Sequence, residues 1–89
     1  MIIKRNPEVC AAELDAEICI FDPVKAEYLN LNNTGTAIWN LLEQPAELDS
    51  IIKALIARYS VDPTTCRMET EAFINDGLKS GMLIEVKQK

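Results

Sequence analysis

Apolar residues follow two rhythms along this chain, strand-like in the first third and helical thereafter. Val9 to Leu14 and Glu17-Ile18-Cys19-Ile20-Phe21 read as strands, with Asp15-Ala16 as the turn that would join them into a hairpin. Asp22-Pro23 ends the second strand, because proline cannot donate to a ladder. Glu27-Tyr28-Leu29-Asn30-Leu31 then alternates polar or amphipathic side chains with aliphatic ones. Leu29 and Leu31 are therefore expected to face the core, with Glu27 and Asn30 on opposite faces.

Three helices follow. Asn33 or Thr34 is placed to cap the first, which carries Ile38, Leu41 and Leu42 on one side and stops at Pro45. Trp39 lies within it and is read as a packing residue. The second helix is the clearest signal, since Leu48, Ile51, Ile52, Leu55, Ile56 and Tyr59 form one stripe opposite Asp49, Lys53 and Arg58. The third begins with Asp62 as cap, Pro63 in the first helical position and Val61 placed to staple against Cys66. Cys66, Thr70, Phe73, Ile74, Gly77 and Leu78 recur at helical spacing, and Gly81 supplies a left-handed stop. Met82 to Val86 reads as a final strand or an extended tail. Strands followed by helices give an α+β fold.

With 89 residues, the chain has room for a single domain spanning 1–89, marginal in stability unless a partner adds to it. A net charge of −5, with acidic residues spread along the sequence, argues against a nucleic-acid partner, which would need a basic stripe. The apolar runs are too short to span a bilayer and the start lacks a signal-peptide core, so no membrane partner and a cytoplasmic location are expected. Cys10, Cys19 and Cys66 are far apart and odd in number, which fits reduced core thiols better than a disulfide framework. With no histidine and no CxxC spacing, neither a metal site nor another cofactor is expected.

The absence of histidine also removes Ser-His and Cys-His nucleophile pairs. Glu13, Asp15, Glu17 and Asp22 cluster at the first hairpin, but an open hairpin offers no pocket to raise a carboxyl pKa, and they read as solvated turn residues. Gly35, Gly77 and Gly81 fit no phosphate-binding spacing. No enzymatic activity is expected. What remains is the strand at Glu27 to Leu31, which contains no proline to block its edge and could pair with an incoming peptide.

The segment Tyr28-Leu29-Asn30-Leu31-Asn32-Asn33-Thr34-Gly35, followed by Ile38-Trp39-Asn40-Leu41-Leu42, resembles the strand-to-helix segment of the PqqD-like family, the RiPP recognition elements. Supporting similarity lies in Glu17 to Asp22, the aliphatic second helix, Tyr59-Ser60-Val61-Asp62-Pro63, and Phe73-Ile74 with Leu78 and Gly81. The chain departs from the family pattern at Glu69-Thr70, often Asp-Val, and at Lys25-Ala26, where a glycine is usual. It also lacks the tryptophan-glutamate motif of the quinone-cofactor branch, and is more similar to the discrete leader-binding proteins of lasso-peptide pathways.

The resemblance implies a winged-helix-like domain, a three-stranded antiparallel sheet followed by three helices. It further implies a non-catalytic chaperone that binds the leader of a ribosomally made precursor peptide by strand addition. The leader would pair beside Glu27, Tyr28, Leu29, Asn30 and Leu31, against a third-helix face that includes Arg67, Met68, Glu71, Ala72 and Asn75. The implied partners are that leader, a leader peptidase and a cyclase or other modifying enzyme, and the free edge offers a route to a homodimer. Two alternatives stand beside this reading: a quinone-cofactor (PQQ) pathway peptide chaperone working with a radical-SAM enzyme, and a winged-helix transcription regulator.

Overall fold

The computed structural model describes residues 1–15 and 17–87. Its elements in chain order are β1 (Ile2–Arg5), β2 (Cys10–Leu14), β3 (Glu17–Asp22), β4 (Glu27–Asn30), α1 (Asn33–Leu41), β5 (Ala46–Glu47), α2 (Leu48–Tyr59), α3 (Pro63–Ser80) and β6 (Leu83–Val86). The strands divide between two antiparallel three-stranded sheets, ordered β2-β3-β4 and β5-β1-β6. Three strands followed by three helices therefore describes only the middle of the chain. Ile2–Arg5 and Ala46–Glu47 are strands that the sequence reading omitted, and Met82 to Val86 resolves to a strand over its last four residues. Each is too short to display its own alternation. β1 is held by partners remote in sequence, with Ile3 opposite both Ala46 and Glu85.

In the first sheet, β2 and β3 form the expected hairpin, pairing Leu14 with Glu17 and Ala12 with Cys19. Of the turn proposed at Asp15-Ala16, Asp15 lies at φ 50°, and Ala16 is outside the described residues. After β3, the Asp22 carboxylate accepts hydrogen bonds from the N–H groups of Val24 (2.9 Å) and Lys25 (3.3 Å), which turns the chain into β4. Thus one of the clustered hairpin carboxylates has a definite structural task.

The Asn32 side chain caps α1 by accepting from the Gly35 N–H at 2.8 Å, one residue before the expected Asn33 and two before Thr34. The buried Thr36 hydroxyl accepts from Ile18 N–H and donates to Leu31 C=O, each at 3.4 Å, and so fastens α1 to the first sheet. Asp62 caps α3 through Thr65 N–H, Pro63 occupies its first turn, and Gly81 ends it at φ 84°. Gly77 lets α3 approach β6 closely: a Cβ there would lie 2.6 Å from a methyl of fully packed Leu83.

The core runs between the sheets and helices through Ile3, Ile20, Leu31, Ile38, Leu42, Ile51, Ile74 and Leu83. Trp39 is buried at 3% exposure, and the Arg5 guanidinium sits 4.7 Å from its ring centroid while donating to its carbonyl oxygen at 2.7 Å. Among the cysteines only Cys66 is buried; Cys10 is exposed and Cys19 partly so, which corrects the reading of all three as core thiols. The reason is local, since Cys10 pairs opposite Phe21 and Cys19 opposite Ala12, on the face of the sheet turned from the core. Among the described residues, no helix is long and apolar enough to cross a membrane.

Candidate functional site

Among the described residues β4 has one hydrogen-bonded neighbour, β3, so its other side is an edge. Leu31 N–H donates to Ile18 C=O at 2.8 Å, which fixes the orientation of the backbone groups upstream. Because these groups alternate sides in an antiparallel ladder, Leu29, opposite Ile20, also points its N–H and C=O at β3. Those of Tyr28 and Asn30 point outward. A strand laid against this edge would find two residues' worth of donors and acceptors waiting.

Side chains alternate in the same way. Leu29 follows the face of buried Ile20 and Leu31, yet it is 45% exposed, so the expectation that it would be covered by the core is corrected. Among the described residues nothing above it closes the space between β4 and α3. Three depressions of about 170, 280 and 350 Å³ run end to end through that space. The first is lined by Val9, Ile20, Glu27, Leu29 and Met82, and it shares Leu29, Ser80 and Met82 with the second. The second passes Leu31, Phe73 and Gly77 and shares Asn32, Phe73 and Asp76 with the third, which ends at Gly35, Glu69 and Ala72. α3 therefore runs antiparallel to β4, with Ser80 beside Leu29 and Glu69 beyond Asn32. The result is an apolar groove with one hydrogen-bonding wall.

Of the residues expected to form a peptide site, Glu27, Tyr28, Leu29, Asn30 and Leu31 line this groove or its edge, as does Ala72. The Tyr28 ring packs on Phe21 across the strand pair, with centroids 4.7 Å apart, and is still 74% exposed. Arg67, Met68, Glu71 and Asn75 line none of the three depressions. Arg67 instead reaches Asp49 of α2 at 3.2 Å and Glu71 at 3.6 Å, so that pair faces the neighbouring helix. Beside Ala72 and Gly77, the groove wall supplied by α3 is Glu69, Phe73, Asp76 and Ser80, a stripe at i, i+4, i+7 and i+11 that the sequence does not mark as peptide-facing.

A further depression of about 230 Å³ lies among α1, α2 and α3, lined by Ala37, Leu55, Tyr59, Val61 and Cys66. It meets the far end of the groove at Thr34 and Glu69 but has no free strand edge. The groove beside β4 is therefore the better candidate for a polypeptide ligand.

The sequence model of the coenzyme PQQ synthesis protein D family, PqqD, matches residues 17–83, which includes β3, β4 and all three helices. The chain belongs to the PqqD family. Comparison with curated protein sequences finds no match. Among solved structures, the PqqD-like chain is similar to TbiB1 in complex with the TbiA(beta) leader peptide: 27% identity and a TM-score of 0.84, covering 96% of this chain and 99% of that one. It is also similar to a lasso peptide synthetase B1 complexed with the leader peptide, at 23% identity and a TM-score of 0.81, covering 93% and 98% of the two chains. At that lower identity the second likeness bears on the fold. This PqqD-like protein is thus a RiPP recognition element that shares its fold with leader-peptide-bound structures.

Proposed function

We propose that this protein captures the leader segment of a ribosomally made precursor peptide as an added strand on β4, with its groove-facing side chains against α3. The observation that carries this reading is the uncovered Leu29 beside the outward backbone groups of Tyr28 and Asn30, since exposed apolar surface and unpaired edge groups are left to a partner. The leader-bound state of TbiB1, a chain of nearly the same extent, supports it.

The role is non-catalytic. Bound leader raises the effective concentration of the precursor near a separate leader peptidase, and a cyclase acts after cleavage. The contacts proposed are Glu27 to Leu31 on the strand, and Glu69, Ala72, Phe73, Asp76 and Ser80 on the helix, in place of Arg67, Met68, Glu71 and Asn75. The family's quinone-cofactor members supply a second reading, capture of that pathway's precursor for a radical-SAM enzyme, with the same groove.

An NMR titration with the leader encoded beside the gene tests the proposal. Saturable shifts at residues 27–31 and along the Glu69-to-Ser80 stripe are expected, with none on adding the leaderless core peptide. Equal binding of the core peptide would overturn it, and a response only to the quinone-cofactor precursor would transfer the protein to the second pathway.

A further inference from the structure

The groove has a charge pattern as well as a shape. Among the described residues its lining includes Asp22 and Glu27 at the β4 end, Asp76 midway and Glu69 at the far end, and no lysine or arginine. Asp22 is engaged by its turn, whereas Glu27, Asp76 and Glu69 make no ion pair among the described residues. The nearby cations lie at the rim or beyond it: Lys25 donates to the Ser80 carbonyl at 2.8 Å, Lys79 precedes Ser80 on α3, and Arg67 is held by Asp49 and Glu71 on the other flank of that helix. Between the carboxylates lie Leu29, Phe73 and Met82. The α3 stripe from Glu69 to Ser80 is roughly 16 Å long, which an extended peptide covers in roughly five residues. A strand seated here therefore presents an apolar centre to the middle of the groove and reaches a carboxylate on either side.

Resting on the peptide-capture reading, we infer that this groove selects peptides whose apolar centre is flanked by lysine or arginine, read by Glu27 at one end and by Asp76 and Glu69 toward the other. The backbone edge supplies generic affinity and these three carboxylates supply choice among sequences. Opposite charges at such a rim act on encounter rate and register as well as affinity, and salt weakens them.

The test uses three fluorescent peptides with one shared centre of alternating isoleucine and threonine and flanks of lysine, glutamine or glutamate. Anisotropy should rank lysine above glutamine above glutamate, with about tenfold between the first two at low salt, shrinking to about twofold in molar salt. Asp76→Lys should abolish or invert the ranking. Glu43→Lys, an exposed change of the same charge away from the groove, should leave it in place. Equal affinities for the three peptides, or equal effects of the two substitutions, would overturn the inference and leave peptide capture standing. Silence from all three peptides while the encoded leader binds would also overturn it. Silence from the leader as well would remove both readings.

Discussion

Ala26 occupies a left-handed conformation, φ 54°, in the turn that Asp22 organises between β3 and β4. Such a conformation costs a non-glycine residue roughly 1–2 kcal/mol, while glycine returns part of that gain through a freer unfolded chain. Ala26→Gly should raise stability by roughly 0.5–1 kcal/mol, read as a higher urea midpoint with an unchanged slope. A lower midpoint would mean that the alanine methyl packs usefully. Asp62 offers a contrasting case, because its interaction depends on charge. Hydrogen bonding from the Thr65 N–H is the main cause holding its carboxyl below the ordinary 3.8, followed by the Thr65 side chain; burial opposes them. A carboxylate whose folded pKa is depressed adds stability in full above its unfolded value. That stability disappears as pH falls through the lowered folded value. Asp62→Asn should therefore flatten the acid limb of the stability profile below 3.8. Superimposable profiles from denaturant titrations at several pH values would refute this role.

Core rotation of α3 was legible in the sequence, whereas its groove-facing flank was not. Cys66, Thr70, Ile74 and Gly77 are buried, as their spacing implied. Arg67, Glu71 and Asn75 each follow one of these residues; Glu69, Phe73 and Asp76 each precede one. One residue turns a helix by about 100°, so the two sets lie on opposite flanks of the same buried stripe. Only the tertiary placement of α3, with α2 on one side and β4 on the other, decides which flank meets the groove. Phe73 recurs at the same helical spacing as the buried residues, and spacing does not separate core from groove wall for an aromatic residue beside a buried stripe. For β4 the alternation was legible, but the exposure of Leu29 was not, since nothing local reveals a missing neighbour. The outward direction of the Asn30 N–H gives a sharp test of strand addition. Proline there removes an edge donor and spares the ladder to β3, and Leu29 before it is already extended. Asn30→Pro should weaken leader binding by roughly tenfold with near-native thermal stability, whereas Asn30→Ala, which keeps the N–H, should bind within about twofold of the parent. Equal losses in the two variants would assign the effect to the side chain and exclude backbone pairing at this residue.

Two small sheets, rather than one, tie the molecule together. β1 and β6 bring the ends of the chain side by side through Arg5 opposite Leu83, and Asn6 adds a bond to the Gly81 carbonyl at 2.7 Å. The end of α3 is thereby anchored, and with it the wall of the groove. Among the described residues β4 has no such brace on its outer side, so a bound strand would complete the first sheet and gain from ordering that edge. A domain of this size is marginally stable, and any ligand that binds the folded state alone adds RT ln(1 + [L]/Kd). At about a hundredfold excess over Kd the leader should contribute about 2.7 kcal/mol, raising Tm by roughly 10 °C or more for a domain of this length. The leaderless core peptide should leave Tm unchanged. Varying protein concentration separates this from self-pairing of the same edge: a homodimer built on β4 gives a Tm that climbs with protein alone and competes with leader. A monomer that awaits its peptide has a Tm independent of protein concentration, and leader should then raise it without a competing equilibrium. A Tm set wholly by protein concentration and indifferent to leader would make the exposed strand an oligomerisation element and overturn peptide capture.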